Sequence, residues 1–335
     1  MEKVGYRTGH VTDAARLNWD GAGPRPIRWS AWYPAAAAAG GAGPEDGLFE
    51  LGAVVEEAEL GDGAPFPTVL MSHGTGGSPE SLGWLAAALA RAGYVTLAPH
   101  HHGNTGSEAY RAEGFLAWWE RGPDLSVLLS ALAEDGPFAG QLDLGRVHAL
   151  GFSLGCYAVL GLAGAAGDMA RFQRWMAETP EHGQGPREFP DLAVKFDGLI
   201  ATSDSFRAAW ARQSEGFSDS RVRSVTAIAA PPPVRAFDAP SLRAIDVPVT
   251  LITGEADREA PTALCSAWLA GINPQFRHVS MGADVGHYTF LGAPRGAIPQ
   301  EAAFIFDDAP GVSRAAVHAA TRAAVLEALS AAEEP

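Results

Sequence analysis

A serine, an aspartate and a histidine in this chain stand where acyl-transfer chemistry needs a nucleophile, an orienting acid and a base. The serine is Ser153, in the run VHALGFSLGCY at 147–157. A short apolar stretch ends in Gly151-Phe152-Ser153-Leu154-Gly155, and a small-residue segment of helical character follows. The pattern reads as strand, sharp turn, helix, with the serine at the apex. Such a turn is tight and its backbone strained, so it needs small residues two positions to either side, and Gly151 and Gly155 supply them. The hydroxyl is then presented at the carboxyl end of a strand, beside a helix amino terminus that would stabilise a developing oxyanion.

A serine hydroxyl becomes a competent nucleophile when a base takes its proton and a carboxylate holds that base in the right tautomer. The candidate base is His287, which follows the strand-like FRHVSM at 276–281 and sits in GADVGHYTF with a glycine before it and apolar residues after it. His278, inside that strand, and His318, on the terminal helix, are less well placed. The candidate acid is Asp257, because the buried-strand pattern VPVTLIT at 247–253 runs directly into GEADREAP, with a helix expected from about Pro261. Glu255, Glu259 and Asp238 are the reserve carboxylates.

The elements that must hold these groups can be read between them. FPTVLMS at 66–72 is a buried-strand pattern followed at once by His73-Gly74-Thr75-Gly76-Gly77. Glycines there let the backbone approach a ligand with its N–H groups turned inward, and His73, Gly74 and Gly76 are assigned to support that loop. Ser78 is expected to cap, and Pro79 to open, a helix running to about Ala92. YVTLAP at 94–99 is the next strand, ending in His100-His101-His102. Adjacent residues on an extended chain point in different directions and no carboxylate follows at ligand spacing, so no metal is expected. This loop, His101 included, is read as lining the pocket or lying beneath it.

Residues 4–13 and 25–33 read as antiparallel edge strands, and 35–64 as loop. Phe115, Trp118 and Trp119 form an aromatic cluster whose default role is core, with Trp119 a possible substrate wall. A helix is predicted over 123–133, a strand over 224–229 and an alanine-rich helix over 313–332. Helices alternating with buried strands imply a mostly parallel, doubly wound sheet. Between the nucleophile helix and the next strand, residues 165–223 hold amphipathic pieces (169–177 and 205–213) separated by loop-like sequence including EHGQGPREFPD. This reads as a helical cap inserted into a core formed by 1–164 and 224–335. Phe172, Trp175, Met176, Phe206 and Trp210 either face a substrate or hold the cap to the body. Tyr288, beside the candidate base, is a further pocket residue.

At 335 residues and 47% hydrophobic the chain can bury a large core, and its formal net charge of −15 argues against nucleic acid or an anionic membrane as partner. Two cysteines without metal-ligand spacing fit a reducing compartment. With no signal-like apolar run in MEKVGYRTGH and none long enough to span a bilayer, the expectation is a cytoplasmic protein.

The segments PTVLMSHGTGGSPESLGWLAAALARAGYVTLAPHHHGNT, LDLGRVHALGFSLG, VPVTLITGEADREAP and GHYTFL resemble the α/β-hydrolase branch of predicted dienelactone hydrolases, related to platelet-activating-factor acetylhydrolases. The early WYP and RGPDLSVLL are similar too, so the likeness covers most of the chain outside the cap and 35–64. It implies an α/β-hydrolase fold with antiparallel amino-terminal edge strands and a serine esterase acting on a small-molecule ester or lactone. It also implies an oxyanion hole at the Thr75 and Leu154 N–H groups, and no cofactor. Amide or thioester cleavage by the same triad, and a non-catalytic binding protein of this fold, are the alternatives. Two features depart from the pattern. The elbow carries Ser153 where authentic dienelactone hydrolases have cysteine. The strand after which the acetylhydrolases place their acid here ends in AAPPP, which favours Asp257. Cys156, on the helix after the serine where the branch commonly has glycine, is read as a packing residue.

Overall fold

The computed structural model describes residues 3–180 and 185–333. Alternating patterns at the amino terminus form two long strands, β1 (Val4–Leu17) and β2 (Pro24–Pro34), paired antiparallel. The near-continuous apolar runs become β4 (Phe66–Ser72), β5 (Val95–His100), β6 (Leu142–Phe152), β7 (Val222–Ile228) and β8 (Val249–Thr253), all parallel to their neighbours in this set. With β3 (Val55–Glu56) outside β1, and β9 (Arg277–Ser280) closing the far edge, they make one nine-stranded sheet in the order β3-β1-β2-β5-β4-β6-β7-β8-β9.

Helices cover both faces, as parallel strands require. On one face lie α1 (Gly83–Arg91) and the terminal α10 (Arg314–Glu333), burying Leu85, Leu89, Val325 and Leu329. On the other, α3 (Arg121–Glu134) and α4 (Gly155–Leu162) cover the middle of the sheet. Alternate residues of a strand serve opposite faces: Leu70 faces α3 and α4, whereas Val69 and Met71 face α1. Every residue of α4 is buried, which its composition, GCYAVLGL, permits.

The segment between α4 and β7 carries α5 (Met169–Glu178), α6 (Leu192–Thr202) and α7 (Asp204–Ala211). Asp168 and Ser203 cap α5 and α7 by accepting from Ala170 and Phe206 N–H. The predicted pieces at 169–177 and 205–213 become α5 and α7, while α6, mostly exposed and without a clear periodic pattern, escapes the sequence reading. Part of the loop predicted between them, residues 181–184, lies outside the described residues. The body is completed by α2 (Ala112–Leu116), α8 (Ala239–Ala244) and α9 (Ser266–Ile272).

Three local expectations need correction. Residues 35–64 are not simple loop: Phe49, Leu51 and Val54 are buried, and β3 pairs with Gly5 and Tyr6 of β1. Ser78 stands before a 3₁₀ turn at Pro79–Leu82, but its side chain makes no capping bond. The helix expected near Pro261 begins at Ser266, because residues 261–265 form turns of their own, with Leu264 and Cys265 N–H both donating to Pro261 O. Among the described residues no helix is long and apolar enough to cross a membrane.

Candidate active site

Ser153 joins β6 to α4 with φ +50°, a left-handed conformation costly for any residue with a Cβ. The turn is over-determined by its surroundings. Ser153 N–H donates to Ile228 O at 2.9 Å, and Cys156 N–H donates to Ser153 O at 2.8 Å. A Cβ on Gly151 would lie 2.4 Å from the Gly155 carbonyl oxygen, and one on Gly155 would lie 2.1 Å from the Ser72 carbonyl oxygen. Both glycines are therefore required by contact with backbone that has no freedom to yield.

His287 comes from the loop after β9 and opens a 3₁₀ turn, His287–Phe290. Its Nε2 is 3.0 Å from Ser153 Oγ, and its Nδ1 donates to Asp257 Oδ2 at 2.7 Å. The other Asp257 oxygen accepts from Ala260 N–H at 2.7 Å, which fixes the carboxylate. All three side chains are buried. Burial opposes a charged imidazole, but the Asp257 charge and hydrogen bond outweigh it, and Glu259 and Glu188 add to them. The His287 pKa is raised above its ordinary value.

The alternatives are engaged elsewhere. Asp238 caps α8 by accepting from Ser241 N–H, Glu259 pairs with Arg187, and Glu255 accepts from Thr253 Oγ1. His278 meets Thr253 Oγ1, and His318 meets the Thr289 and Leu291 carbonyls. Cys156 Sγ donates to Gly151 O and Ile228 O, and burial holds its thiol well above the ordinary range.

The loop after β4 lies against the serine: a Cβ on Gly74 would be 3.2 Å from Ser153 Cβ. Gly76 adopts φ +62° and its N–H is taken by Asn104 Oδ1 at 2.6 Å. Among the described residues neither Thr75 N–H nor Leu154 N–H donates to any protein acceptor. His73 is fully buried beneath the loop, kept neutral by burial and by the nearby Arg121 charge.

The three consecutive histidines diverge. His100 lies near Ser30 and Ser107, and His102 near Glu108. His101 donates to Asp124 Oδ2 at 3.0 Å and accepts from Ser72 Oγ at 2.8 Å. Burial pushes the His101 pKa down to about 3. His101 is thus a buried support under the loop, not a pocket wall. Among the described residues no three His, Cys, Asp or Glu side chains are grouped to hold a metal.

The aromatic residues assigned to a pocket divide. Trp119 is buried, donates to Ala209 O at 2.9 Å and meets Trp210 edge-on, so it ties α7 to the body. Phe206 is fully buried near Phe196 and Trp210, and Trp175 stacks on Phe172. Trp119 and Trp210 join the 165–223 segment to the body, Trp175 is also covered by the Arg235 guanidinium, and Phe206 is enclosed, so the four are packing residues and not pocket walls. Tyr288 differs: with His287 it lines a cleft of about 440 Å³ that also takes in Arg258, Asp284 and Asp307. The segment reaches this region through Arg187, paired with Glu259 and lying over Phe304, and through Glu188, close to Gly76.

Sequence reasoning missed a buried cluster behind the loop. Asp124 accepts from Arg16, Arg25 and His101, while Arg121 donates to loop carbonyls. The available signal was RGPD at the start of α3, which places an arginine and an aspartate three residues apart in a helix that must cover the sheet.

Against solved structures, the chain is similar to a ferulic acid esterase from Streptomyces cinnamoneus. The TM-score is 0.62 at 20% identity, covering 98% of this chain and 89% of that one. The fold is that of the α/β-hydrolases. A puromycin-hydrolysing peptidase from Mycobacterium tuberculosis matches with a TM-score of 0.48 at 13% identity, over 84% of this chain and 36% of that one. No protein-family model matches the sequence, and no curated protein matches it.

Proposed function

We propose that the protein is a serine hydrolase that cleaves a small-molecule carboxylic ester or lactone through an acyl-enzyme. The reading rests on one observation: Ser153 Oγ, His287 and Asp257 form a continuous buried hydrogen-bonded chain. His287 Nε2 takes the hydroxyl proton as Ser153 attacks the carbonyl carbon, and Asp257 stabilises the imidazolium that results. The Thr75 and Leu154 N–H groups, unspent on protein acceptors, hold the oxyanion. Collapse of the tetrahedral intermediate expels the alkoxide, which receives the proton from His287. Water, activated by the same imidazole, then attacks the acyl-serine and restores the enzyme. No step needs a cofactor.

Residues 165–223 serve as the cap in this reading. Their aromatic side chains fix the segment to the body, and Arg187 and Glu188 bring its edge toward the cleft. Mass spectrometry after rapid acid quench of a p-nitrophenyl ester reaction tests the mechanism. An acyl adduct on the peptide bearing Ser153 is expected. An adduct on another residue, or turnover of a folded His287→Ala variant at the wild-type rate, would overturn it. Because one of the similar solved structures is a ferulic acid esterase, a feruloyl ester belongs in the substrate panel.

A further inference from the structure

We propose that Arg121 is a positioning residue for oxyanion stabilisation, aiming the Thr75 N–H by gripping the carbonyl of the same peptide unit. The inference rests on the acyl-transfer reading above. The peptide between Gly74 and Thr75 is planar and trans, so the Gly74 C=O and the Thr75 N–H point in opposite directions. Whatever fixes the carbonyl on one side fixes the N–H on the other. That carbonyl accepts from three donors: His73 Nδ1 at 2.7 Å, Arg121 Nη2 at 3.3 Å and Gly77 N–H at 3.4 Å.

Arg121 does more than fill space. It is the first residue of α3 and almost wholly buried, and its Nη1 also donates to His73 O at 2.5 Å, with Nη2 reaching Asn104 O at 3.4 Å. Its neighbours Arg16 and Arg25 form ion pairs with Asp124, as buried guanidinium groups commonly do. Arg121 forms no ion pair among the described residues and directs its hydrogen bonds to carbonyls of the loop and of Asn104. A buried cation on a peptide carbonyl also polarises that peptide, making its N–H a stronger donor toward negative charge. The His73 tautomer agrees with this arrangement. Nδ1 carries the proton given to Gly74 O, and Nε2 accepts from His101 N–H at 3.3 Å.

The role is specific to the transition state, because the oxyanion exists only there. Steady-state hydrolysis of p-nitrophenyl butyrate by wild type, Arg121→Gln, Arg121→Lys, His73→Phe and Ser153→Ala tests it, with folding followed by circular dichroism. Arg121→Gln should lower kcat by roughly 10- to 100-fold with KM within about twofold, and Arg121→Lys should recover part of the loss. Inhibition by a trifluoromethyl ketone, whose serine adduct carries an oxyanion, should weaken in parallel with kcat. If the arginine variants do not fold, His73→Phe, which removes another donor to the same carbonyl, should show the same division between kcat and KM. A folded variant with wild-type kcat, or a kcat loss with unchanged trifluoromethyl ketone affinity, would overturn the role of Arg121. Ser153→Ala turning over at the wild-type rate would instead overturn the acyl-transfer reading itself.

Discussion

At the scale of single residues, the chemistry is set by how little each group is left to choose. Ser153 is held in a strained conformation, Asp257 has one oxygen on Ala260 N–H, and His287 is confined between them. In the proposed mechanism His287 acts as neutral imidazole. With the His287 pKa raised, a larger fraction is protonated at any given acidic pH, so activity should be lost there sooner than an ordinary histidine would allow. The acidic limb of kcat/KM should therefore have its midpoint above the ordinary imidazole value of about 6.5. Glu188→Gln and Glu259→Gln each remove a charge that favours the imidazolium, so each should move that midpoint to lower pH. A midpoint unmoved by both substitutions would contradict the electrostatic account. Asp257→Asn should lower kcat by about 10⁴-fold without loss of fold, since it leaves the imidazole in the wrong tautomer. That Ser153 and His287 come together could be read in sequence because each has a local signature, an elbow and a post-strand glycine-histidine. That Asp257 is the carboxylate meeting His287 was legible only by its place after a late strand, since Glu255 and Glu259 flank it. The contacts of Arg121 were not legible: RGPD places it on a helix that must cover the sheet, but not which carbonyls its guanidinium meets.

At the scale of elements, the site depends on backbone closeness that only glycine allows. Gly155→Ala would drive a methyl group into the Ser72 carbonyl, joining β4 and α4 by a collision. Overpacking of this kind costs about 1–3 kcal/mol or more, and here it also displaces the serine. The variant should show both a lower Tm and a large loss of turnover; unchanged values of both would mean the elements are less tightly joined than described. A second device is electrostatic. Asp124 of α3 binds Arg16 of β1 and Arg25 of β2, tying the two amino-terminal strands to the helix behind the loop. Burial would raise the Asp124 pKa, but Arg25 and Arg16 overcome this and hold it well below the usual carboxylate range. Its contribution to stability is present above the unfolded-state carboxylate pKa and is lost as pH falls through the depressed folded-state value. Asp124→Asn should destabilise by about 3–5 kcal/mol near neutral pH, because two buried arginines lose their shared partner. Denaturant unfolding at neutral and acidic pH measures this, and the difference from wild type should shrink in acid. Strand and helix alternation made most of these elements legible. The buried anchors of 35–64 were hidden in a tract dominated by alanine, glycine and proline, where three apolar side chains carry no periodicity.

At the scale of the molecule, a mixed sheet presents three loops at the carboxyl ends of its parallel strands, and the 165–223 segment is fastened beside them. Phe217 of that segment sits where a Cβ on either Gly122 of α3 or Gly161 of α4 would be 2.1 Å from its ring. The two glycines form a slot that only an unbranched backbone leaves open. That a segment outside the regular alternation lies between α4 and β7 could be anticipated from the sequence, because alternation stops after α4 and resumes at β7. Its contacts could not, since an aromatic residue on an amphipathic helix looks the same whether it meets substrate or the body. In the proposed reaction this whole assembly hydrolyses esters through one serine. The measurement that tests it most directly is turnover of p-nitrophenyl acetate through octanoate by wild type and Ser153→Ala. Measurable wild-type hydrolysis with an optimum chain length is expected, together with a fall on the order of 10⁴- to 10⁶-fold in a folded Ser153→Ala protein. Equal hydrolysis by the two proteins would contradict it.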